Sequence, residues 1–317
     1  MQVFIGLKRL PEKFERAVVT LGVFDGVHRA HQHIIETAVE RAEKRQVRSL
    51  CISFDPHPGT VKSEDDAFIP ILTTMKEKIR YLEEIGLDGT LFLDITEKFL
   101  NLSADDFINK ILVEKIKARE VVVGYNYRFG KDREGNTDLL KKKGREYGFK
   151  THVIKPFKID ESIVSSTLIR NLIEKGNIEQ ANKMLGKPYC ILGRVGKGNQ
   201  IGRQIGFPTA NVVVHESEKL LPGNGVYFTE ITLEGEEHFG ICNLGIRPTF
   251  GYNDRGLEVH ILGLDKIDLY DKEIKLKFLE RMRNEQKFES VDKLVQQIKK
   301  DKQEGLKKIS KYKTEEN

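Results

Sequence analysis

The segment Ala17–Gln46, AVVTLGVFDGVHRAHQHIIETAVERAEKRQ, contains the pattern that decides the fold of the first half of the chain. Its first eight residues are mostly apolar and have the length of a buried strand, and Gly22 and Gly26 allow a tight turn at the end of this strand. From His31 to Gln46 apolar residues recur every three or four positions, which predicts an amphipathic helix. A strand that turns directly into a helix is the opening unit of a parallel α/β sheet.

The same alternation of strand and helix patterns continues to about residue 174. The predicted strands are 48–54, 90–94, 120–124 and 150–155, and the predicted helices are 75–85, 103–117, 137–147 and 165–174. This order predicts an α/β doubly wound parallel sheet, in which ligands bind beyond the carboxyl ends of the strands. The loops after the first, fourth and fifth strands are therefore the places to look for a site.

The pattern changes near Asn182, where short apolar runs are separated by turn signals such as Glu234-Gly235. Strands are predicted at 189–195, 225–233, 238–243, 257–262 and 273–278, followed by an amphipathic helix at 290–300. Strands at this spacing are typical of an all-β sandwich or barrel. We expect two domains, residues 1–183 and 184–317, with the highly charged residues 307–317 outside the folded structure.

The composition excludes several classes of protein. The chain has 317 residues, 39% hydrophobic and 32% charged, which excludes a mostly disordered protein. No apolar run reaches the ~20 residues of a membrane helix, and the N-terminus lacks a signal-peptide pattern. Cys51, Cys190 and Cys242 are far apart and outside any CxxC pair, which argues against a disulfide framework or a zinc knuckle. We expect a cytoplasmic protein with no membrane partner.

The net charge of +5 is spread over the sequence and does not indicate a nucleic-acid partner. A small positive bias of this kind suits anionic small molecules such as nucleotides. The oligomeric state stays open, because no pattern in the sequence bears on it.

The first candidate site follows the first predicted strand. His28 and His31 stand three residues apart at a helix N-terminus, where free N–H groups and the helix dipole attract anions. Two imidazoles can donate hydrogen bonds to phosphate oxygens, although ordinary surface histidines that cap a helix would have the same spacing. The candidate phosphate-binding residues are Gly22, Phe24, Asp25, Gly26, His28 and His31.

A second segment, VSSTLIR at 164–170, follows the fifth predicted strand and opens a helix. Ser165, Ser166 and Thr167 offer hydroxyls, and Arg170 lies three residues after Thr167 on the same helix face. Arginine suits bidentate contact with phosphate, while a plain N-cap with a solvent-facing arginine is the alternative. Because both segments belong to the same edge of the predicted sheet, together they favour a nucleotide site.

The second half contains a different set of polar groups. Thr209 and Asn211 alternate on a strand-like segment, so their oxygens face the same side and suit Mg²⁺ bound with phosphates. The glycine-rich stretch before them, residues 193–206, matches no P-loop. Glu258 stands among apolar residues of a predicted strand, where a partly buried carboxylate can act as a general base. An outward-facing strand glutamate would give the same pattern.

The motifs G-x-F-D-G-x-H-x-x-H and S-S-T-x-I-R resemble those of the HxGH nucleotidylyltransferase superfamily. The segments 54–58, 76–88 and 122–131 narrow the resemblance to the N-terminal domain of bacterial bifunctional riboflavin kinase/FMN adenylyltransferases, also called FAD synthetases. The resemblance implies transfer of AMP from ATP to FMN with release of pyrophosphate. It also implies that His28 and His31 stabilise the transition state, that Asn126 contacts FMN or phosphate, and that the residues at 165–170 hold the triphosphate.

The second half resembles riboflavin kinases through five motifs in that family's order, between about residues 189 and 301. They are GRQIGFPTAN, LPGNGVY, NLGIRPTF, LEVH and RMRNEQKF. The resemblance implies that Thr209 and Asn211 bind Mg²⁺ and ATP phosphates, and that Glu258 deprotonates the ribityl 5′-hydroxyl of riboflavin. It further implies that Arg283 closes the site over flavin, and that ATP contacts include Gly202, Gly206 and Pro208.

The departure from the family pattern that matters is Ala30, which replaces the glycine of H-x-G-H, while Tyr127 and Asp271 are milder departures. The extra methyl group of Ala30 is either accommodated or crowds the adenine or ribose, and overpacking of this kind costs ~1–3 kcal/mol, or ~10–100-fold in rate at the upper part of that range. The leading hypothesis is a bifunctional enzyme that makes FMN and then FAD. The alternatives are a riboflavin kinase with a weakened or inactive adenylyltransferase half, a non-catalytic flavin-binding regulator, and, for the first half alone, a cytidylyltransferase.

Overall fold

The structure is a computed structural model that describes residues 1–56, 69–196, 206–246, 255–264 and 269–315. The chain divides into two compact units, Met1–Ser166 and Thr167–Asn317. The domain limits 1–183 and 184–317 stay a prediction.

The first unit contains a six-stranded sheet in the order β1-β4-β3-β2-β5-β6, with every neighbouring pair parallel. Its strands are β1 (Gln2–Ile5), β2 (Val18–Leu21), β3 (Ser49–Asp55), β4 (Gly89–Asp94), β5 (Glu120–Gly124) and β6 (Lys150–Ile154). The helices between them include α1 (Arg29–Arg45), α2 (Met75–Glu84), α3 (Glu97–Leu100), α4 (Ala104–Phe107) and α5 (Thr137–Tyr147). The predicted α/β doubly wound class is confirmed.

Helix α1 packs as its apolar periodicity predicts. Its buried residues, Ile34, Ile35, Ala38 and Ala42, share a core with Val18 of β2. All four residues of β2, VVTL, are buried, which explains why the strand does not alternate between apolar and charged residues. The first strand of the sheet, β1, was missed, because four residues at a sheet edge carry too short a pattern.

The predicted helix 103–117 is present, but it is not an α-helix over its whole length. Ser103 caps α4 as expected by accepting a hydrogen bond from the Asp106 N–H at 3.1 Å. From Ile108 to Lys115 the chain then continues as a π-helix. A π turn changes which residues share a face, so a 3.6-residue period does not predict it.

Short elements complete this part of the chain. Two-residue strands β7 (Lys158–Ile159) and β8 (Ser162–Ile163) form a hairpin. Helix α6 (Ser166–Glu174) begins at the last residue of the first unit, and α7 (Ile178–Leu185) follows it in the second. The sequence showed only a junction after Asn182, whereas the structure has a helix that buries Ile178, Ala181, Met184 and Leu185.

The second unit contains a closed antiparallel barrel in the order β10-β13-β12-β11-β14-β9. Its strands are β9 (Tyr189–Gly196), β10 (Ala210–Val214), β11 (Gly225–Leu233), β12 (Glu236–Ile246), β13 (Arg255–Ile261) and β14 (Glu273–Arg283). The predicted all-β barrel is confirmed. Glu234 and Gly235, both with positive φ, make the two-residue turn between β11 and β12 that the sequence indicated.

The final helix, α8, spans Val291–Glu315 and is longer than the predicted 290–300. The expectation that residues 307–317 lie outside the folded structure is wrong as far as Glu315. Tyr312 packs against Phe228 of the barrel with ring centroids 5.6 Å apart, and Ile309 joins the same cluster. Two apolar contacts separated by charged residues give too weak a pattern to predict. None of the described helices is long and apolar enough to cross a membrane.

Candidate active sites

The loop after β2 has an unusual backbone. Phe24 has φ 50° and Val27 has φ 39°, a region that bulky or β-branched residues rarely adopt, and both are buried. At Gly22, a β-carbon would lie 2.9 Å from the Phe24 ring, so the close approach requires glycine. Such conformations persist only where the surroundings fix them, and they are concentrated at functional sites.

A buried carboxylate fixes this loop. Asp25 accepts hydrogen bonds from the Leu72 N–H at 3.0 Å and from the Thr73 N–H at 2.9 Å. Thr73 also accepts from the Gly26 N–H at 2.9 Å, and Ser166 donates to the Asp25 carbonyl at 2.9 Å. The predicted residues Asp25, Gly26 and Ser166 therefore meet in one network that holds the loop in place.

His28 and His31 lie side by side at the start of α1. His28 is the N-cap residue, and its Nδ1 accepts a hydrogen bond from the His31 N–H at 3.3 Å. Since Nδ1 accepts, the neutral His28 ring carries its proton on Nε2, which can donate to a ligand. The two rings stack with centroids 3.5 Å apart, and Phe24 packs edge-on against His31 at 5.2 Å. The pair presents hydrogen-bond donors where a helix dipole favours an anion.

Asn126 follows β5, which lies beside β2 in the sheet. Its side chain is exposed, and its Oδ1 would be 3.6 Å from a β-carbon at Gly124. The same β-carbon would lie 3.2 Å from Ile34 of α1. Asn126 thus stands at the carboxyl edge of the sheet, where the histidine pair also lies.

The remaining residues of the SSTLIR segment divide between the two units. Ser165 is half-buried and belongs to the first unit with Ser166, whereas Thr167 and Arg170 belong to the second. Their part in phosphate binding stays a prediction.

Ala30 is the second residue of α1 and is half-buried. Its backbone is helical, so the position does not require the conformational freedom of glycine. Alanine stabilises a helix interior by up to about 1 kcal/mol relative to glycine.

In the barrel, strand pairing brings three polar residues into one row. Asn211 of β10 pairs with Glu258 of β13, and Glu258 pairs in turn with Asn243 of β12. Directly paired residues point to the same face, with β-carbons about 4.5–5.5 Å apart. Asn211 is buried, Glu258 half-buried and Asn243 exposed, so the row leads from the interior to solvent.

The row continues towards the predicted flavin residue, because Asn243 pairs with Val226 and Val226 pairs with Arg283. Arg283 makes a bidentate ion pair with the buried Asp301 of α8, including Nη2 to Oδ2 at 2.8 Å. Its guanidinium therefore joins β14 to α8, and its contact with flavin stays a prediction.

The segment before β10 is held by a residue that sequence reasoning did not select. His260, two residues after Glu258 on β13, donates from Nδ1 to the Pro208 carbonyl at 2.9 Å. Thr209 follows this anchor and is exposed. Gly206 is exposed with φ 84°, and Gly202 lies outside the described residues.

Two residues of this site, Asn243 and His260, were missed for different reasons. His260 could have been found, since it alternates with Glu258 on one predicted strand. Asn243 could not, because its place beside Glu258 depends on pairing between strands β12 and β13.

The oxygen groups suit a magnesium ion that arrives with a nucleotide. Among the described residues, no three His, Cys, Asp or Glu side chains form a metal-binding group. Mg²⁺ commonly keeps its waters and takes a few protein oxygens together with phosphates. The hydroxyl of Thr209 and the amide oxygen of Asn211, next to the Glu258 carboxylate, fit that donor set.

Comparison with known families agrees with this division of sites. A family model described as FAD synthetase matches residues 10–168, and one described as riboflavin kinase matches residues 185–309. The chain belongs to the bifunctional riboflavin kinase/FMN adenylyltransferases. Its first half is an FAD synthetase domain and its second half a riboflavin kinase domain.

Members of this family match almost the whole chain. The bifunctional riboflavin kinase/FMN adenylyltransferase of Escherichia coli (strain K12) is 38% identical over 288 residues, covering 90% of this chain and 91% of its own. That of Bacillus subtilis (strain 168) is 34% identical over 305 residues, covering 95% of each. A solved structure from Streptococcus pneumoniae, described as a macrolide-efflux protein, has 29% identity and a TM-score of 0.85, covering 96% of this chain and 98% of that one.

Proposed function

We propose that the barrel phosphorylates riboflavin to FMN and that Glu258 is its general base. The pairing of Glu258 with Asn211 supports this proposal, because it sets a carboxylate beside the amide that we propose as a phosphate or metal ligand. Glu258 takes the proton of the ribityl 5′-hydroxyl, whose oxygen attacks the γ-phosphorus of ATP. The bond to the bridging oxygen breaks, and ADP leaves.

In the first unit, the proposal assigns the adenylylation of FMN to the loop after β2. The stacked pair of His28 and His31 at the N-terminus of α1 supports it. An FMN phosphate oxygen attacks the α-phosphorus of ATP, and pyrophosphate leaves. The histidines donate hydrogen bonds to the phosphates, so catalysis rests on positioning and on stabilising charge.

Other assignments of the proposal rest on the sequence. Asn126 contacts FMN or phosphate, and Ser165, Ser166, Thr167 and Arg170 hold the triphosphate. In the barrel, Thr209 and Asn211 hold Mg²⁺, which supplies charge neutralisation on the transferred phosphoryl group. ATP contacts there also include Gly202, Gly206 and Pro208, while Arg283 borders the flavin.

The cellular setting is also proposed. All three cysteines are buried free thiols, which favours a reducing compartment and therefore the cytoplasm. The substrates are riboflavin, FMN and ATP, and FAD is the final product.

A flavin chromatogram tests the proposal directly. Purified protein is incubated with riboflavin, excess ATP and Mg²⁺, and the three flavins are resolved over time. We expect FMN to rise and then to give way to FAD. FMN accumulating without FAD would leave a riboflavin kinase with an inactive first half. Untouched riboflavin, together with untouched FMN in a parallel incubation, would overturn both assignments.

A further inference from the structure

A buried threonine from a distant part of the chain holds the turn that precedes the histidine pair. Thr73 lies directly before Thr74, the N-cap residue of α2, and only 7% of Thr73 is exposed. Its hydroxyl accepts a hydrogen bond from the Gly26 N–H at 2.9 Å and donates one to Asp25 Oδ1 at 3.1 Å. Because a hydroxyl both donates and accepts, this one side chain binds two consecutive residues of the loop.

Backbone groups fix the position of this hydroxyl. The Thr73 N–H donates to Asp25 Oδ1 at 2.9 Å, and the Leu72 N–H donates to the same carboxylate at 3.0 Å. Thr73, Asp25, Leu72 and Gly26 are all buried. Removal of the hydroxyl would therefore leave the Gly26 N–H without this partner in a place where water does not readily replace it.

The contact falls on the residues that set the direction of the chain into α1. Gly26 has φ 86° and Val27 has φ 39°, and the next residue is His28, the N-cap of α1. A valine with positive φ stays in that conformation only where its surroundings fix it. Gln32 donates to the Val27 carbonyl at 2.8 Å, and Thr73 supplies the bond to Gly26. The orientation of the His28 ring therefore depends on the Thr73 hydroxyl.

We propose that Thr73 is a positioning residue of the adenylyltransferase site, whose hydroxyl fixes the turn at Gly26 so that the His28 imidazole is directed to the phosphates of ATP. This inference rests on the proposed function of the first unit. Thr73 acts through His28, since its hydroxyl is bonded to the loop. A catalytic group displaced by about 1 Å loses about 10²-fold in rate, so the effect falls on turnover rather than on substrate binding.

The decisive variant is Thr73→Val, which keeps the shape of the side chain and removes the hydroxyl, and its partner Thr73→Ser keeps the hydroxyl. The control is Thr74→Val, because Thr74 is also buried but its hydroxyl accepts from the Glu77 N–H of its own helix at 3.2 Å. For FMN adenylylation by the full chain, we expect Thr73→Val to lower kcat about 10–100-fold, with less than about a threefold change in the KM for ATP. We expect kcat in Thr73→Ser and Thr74→Val to stay within about threefold of wild type. Circular dichroism and the riboflavin kinase activity of the same samples report that the chain is folded.

A positioning role makes a further prediction that a purely structural role does not. In the background of His28→Asn, adding Thr73→Val should lower kcat by less than about a further threefold, because the imidazole that Thr73 positions is absent. Three outcomes would overturn the inference: a further loss as large as in the wild-type background, a wild-type kcat in Thr73→Val, or an equal loss in Thr74→Val.

A second substitution decides the question if Thr73→Val does not fold. Thr73→Cys keeps a side chain of similar size, and its thiol is a weaker donor and acceptor than a hydroxyl. A kcat at least about threefold below that of Thr73→Ser supports the inference, and an equal kcat overturns it. Absence of FAD formation by the wild type would instead overturn the proposed function.

Discussion

The two candidate sites use opposite kinds of backbone. In the first unit the candidate histidines begin a helix directly after a loop in which Phe24 and Val27 have positive φ, and backbone amides and side chains of residues 72–78 hold that loop. In the barrel the row Asn211, Glu258 and Asn243 lies on regular strands joined by an uninterrupted ladder. The difference teaches that the first site depends on buried neighbours far along the chain, whereas the second depends mainly on which side chains its strands carry.

The largest effect on activity is expected for a substitution of Glu258 in the barrel site, which depends mainly on its side chains. Glu258→Gln keeps the size of the side chain but removes the general base, so kinase activity should fall about 10²–10⁴-fold. Adenylylation of added FMN should not change, and neither activity should change in Glu237→Gln, an exposed glutamate of β12. Flavin chromatography of both reactions measures the effect. Loss of both activities in Glu258→Gln would show that the barrel site is as sensitive to structure as the loop site.

For the loop site, chemistry and structure can be separated at the helix cap. Asparagine is a favourable N-cap residue, so His28→Asn should preserve the start of α1 while it removes an imidazole donor. We expect adenylylation to fall about 10²–10³-fold with the kinase unchanged. His33→Asn, an exposed histidine on the same helix, is the control. Activity close to wild type in His28→Asn would mean that His28 serves only as a cap.

The sheet and the barrel each contain a glutamate whose pKa is low in the folded state. Burial alone would raise the pKa of Glu120, but hydrogen bonds from Arg41 and Arg45 outweigh it and bring the pKa to about 2. A carboxyl with a depressed pKa stabilises the fold above its unfolded value of 4.5, and this contribution is lost as the pH falls towards 2.

The difference in the free energy of unfolding between wild type and Glu120→Gln should therefore decrease by about 2 kcal/mol from pH 5 to pH 3. Urea unfolding followed by circular dichroism measures it. Glu280→Gln is the counterpart in the barrel, since the pKa of Glu280 is also about 2 through Lys308, Lys311 and Tyr312, against the opposing effect of burial. If this difference in the free energy of unfolding does not depend on pH, ion pairs of that glutamate do not contribute to stability.

The smallest effect is expected for Ala30→Gly. The half-buried methyl group is on a helical backbone, so its removal should change the kcat and KM of adenylylation less than about threefold and cost up to about 1 kcal/mol of stability. Steady-state kinetics with ATP and FMN measures this. An increase in the kcat/KM of adenylylation above tenfold would support crowding by the Ala30 methyl group. It would mean that the loop site leaves less space for the nucleotide than the structure indicates.

The sequence predicts those features that depend on residues close together along the chain. The helix from His31, the turn at Glu234-Gly235 and the barrel class all come from local patterns, and the structure has each of them. The π-helix after Phe107 was beyond reach, because helical periods differ too little over eight residues.

The candidate sites show the same limit. The histidine pair could be selected because both residues lie within one motif. The contact of Asp25 with Thr73 spans 48 residues, and the neighbourhood of Asn243 and Glu258 depends on strand register, so neither has a local signal.

The tight turn at Glu234-Gly235 lies at the opposite end of the β11–β12 hairpin from the polar row. Asn243 is eight residues after Gly235, about 26 Å along the strand. A reporter segment inserted at this turn should therefore leave the row assembled. The strands that carry the polar residues and the turn that tolerates an insertion are separate parts of one hairpin.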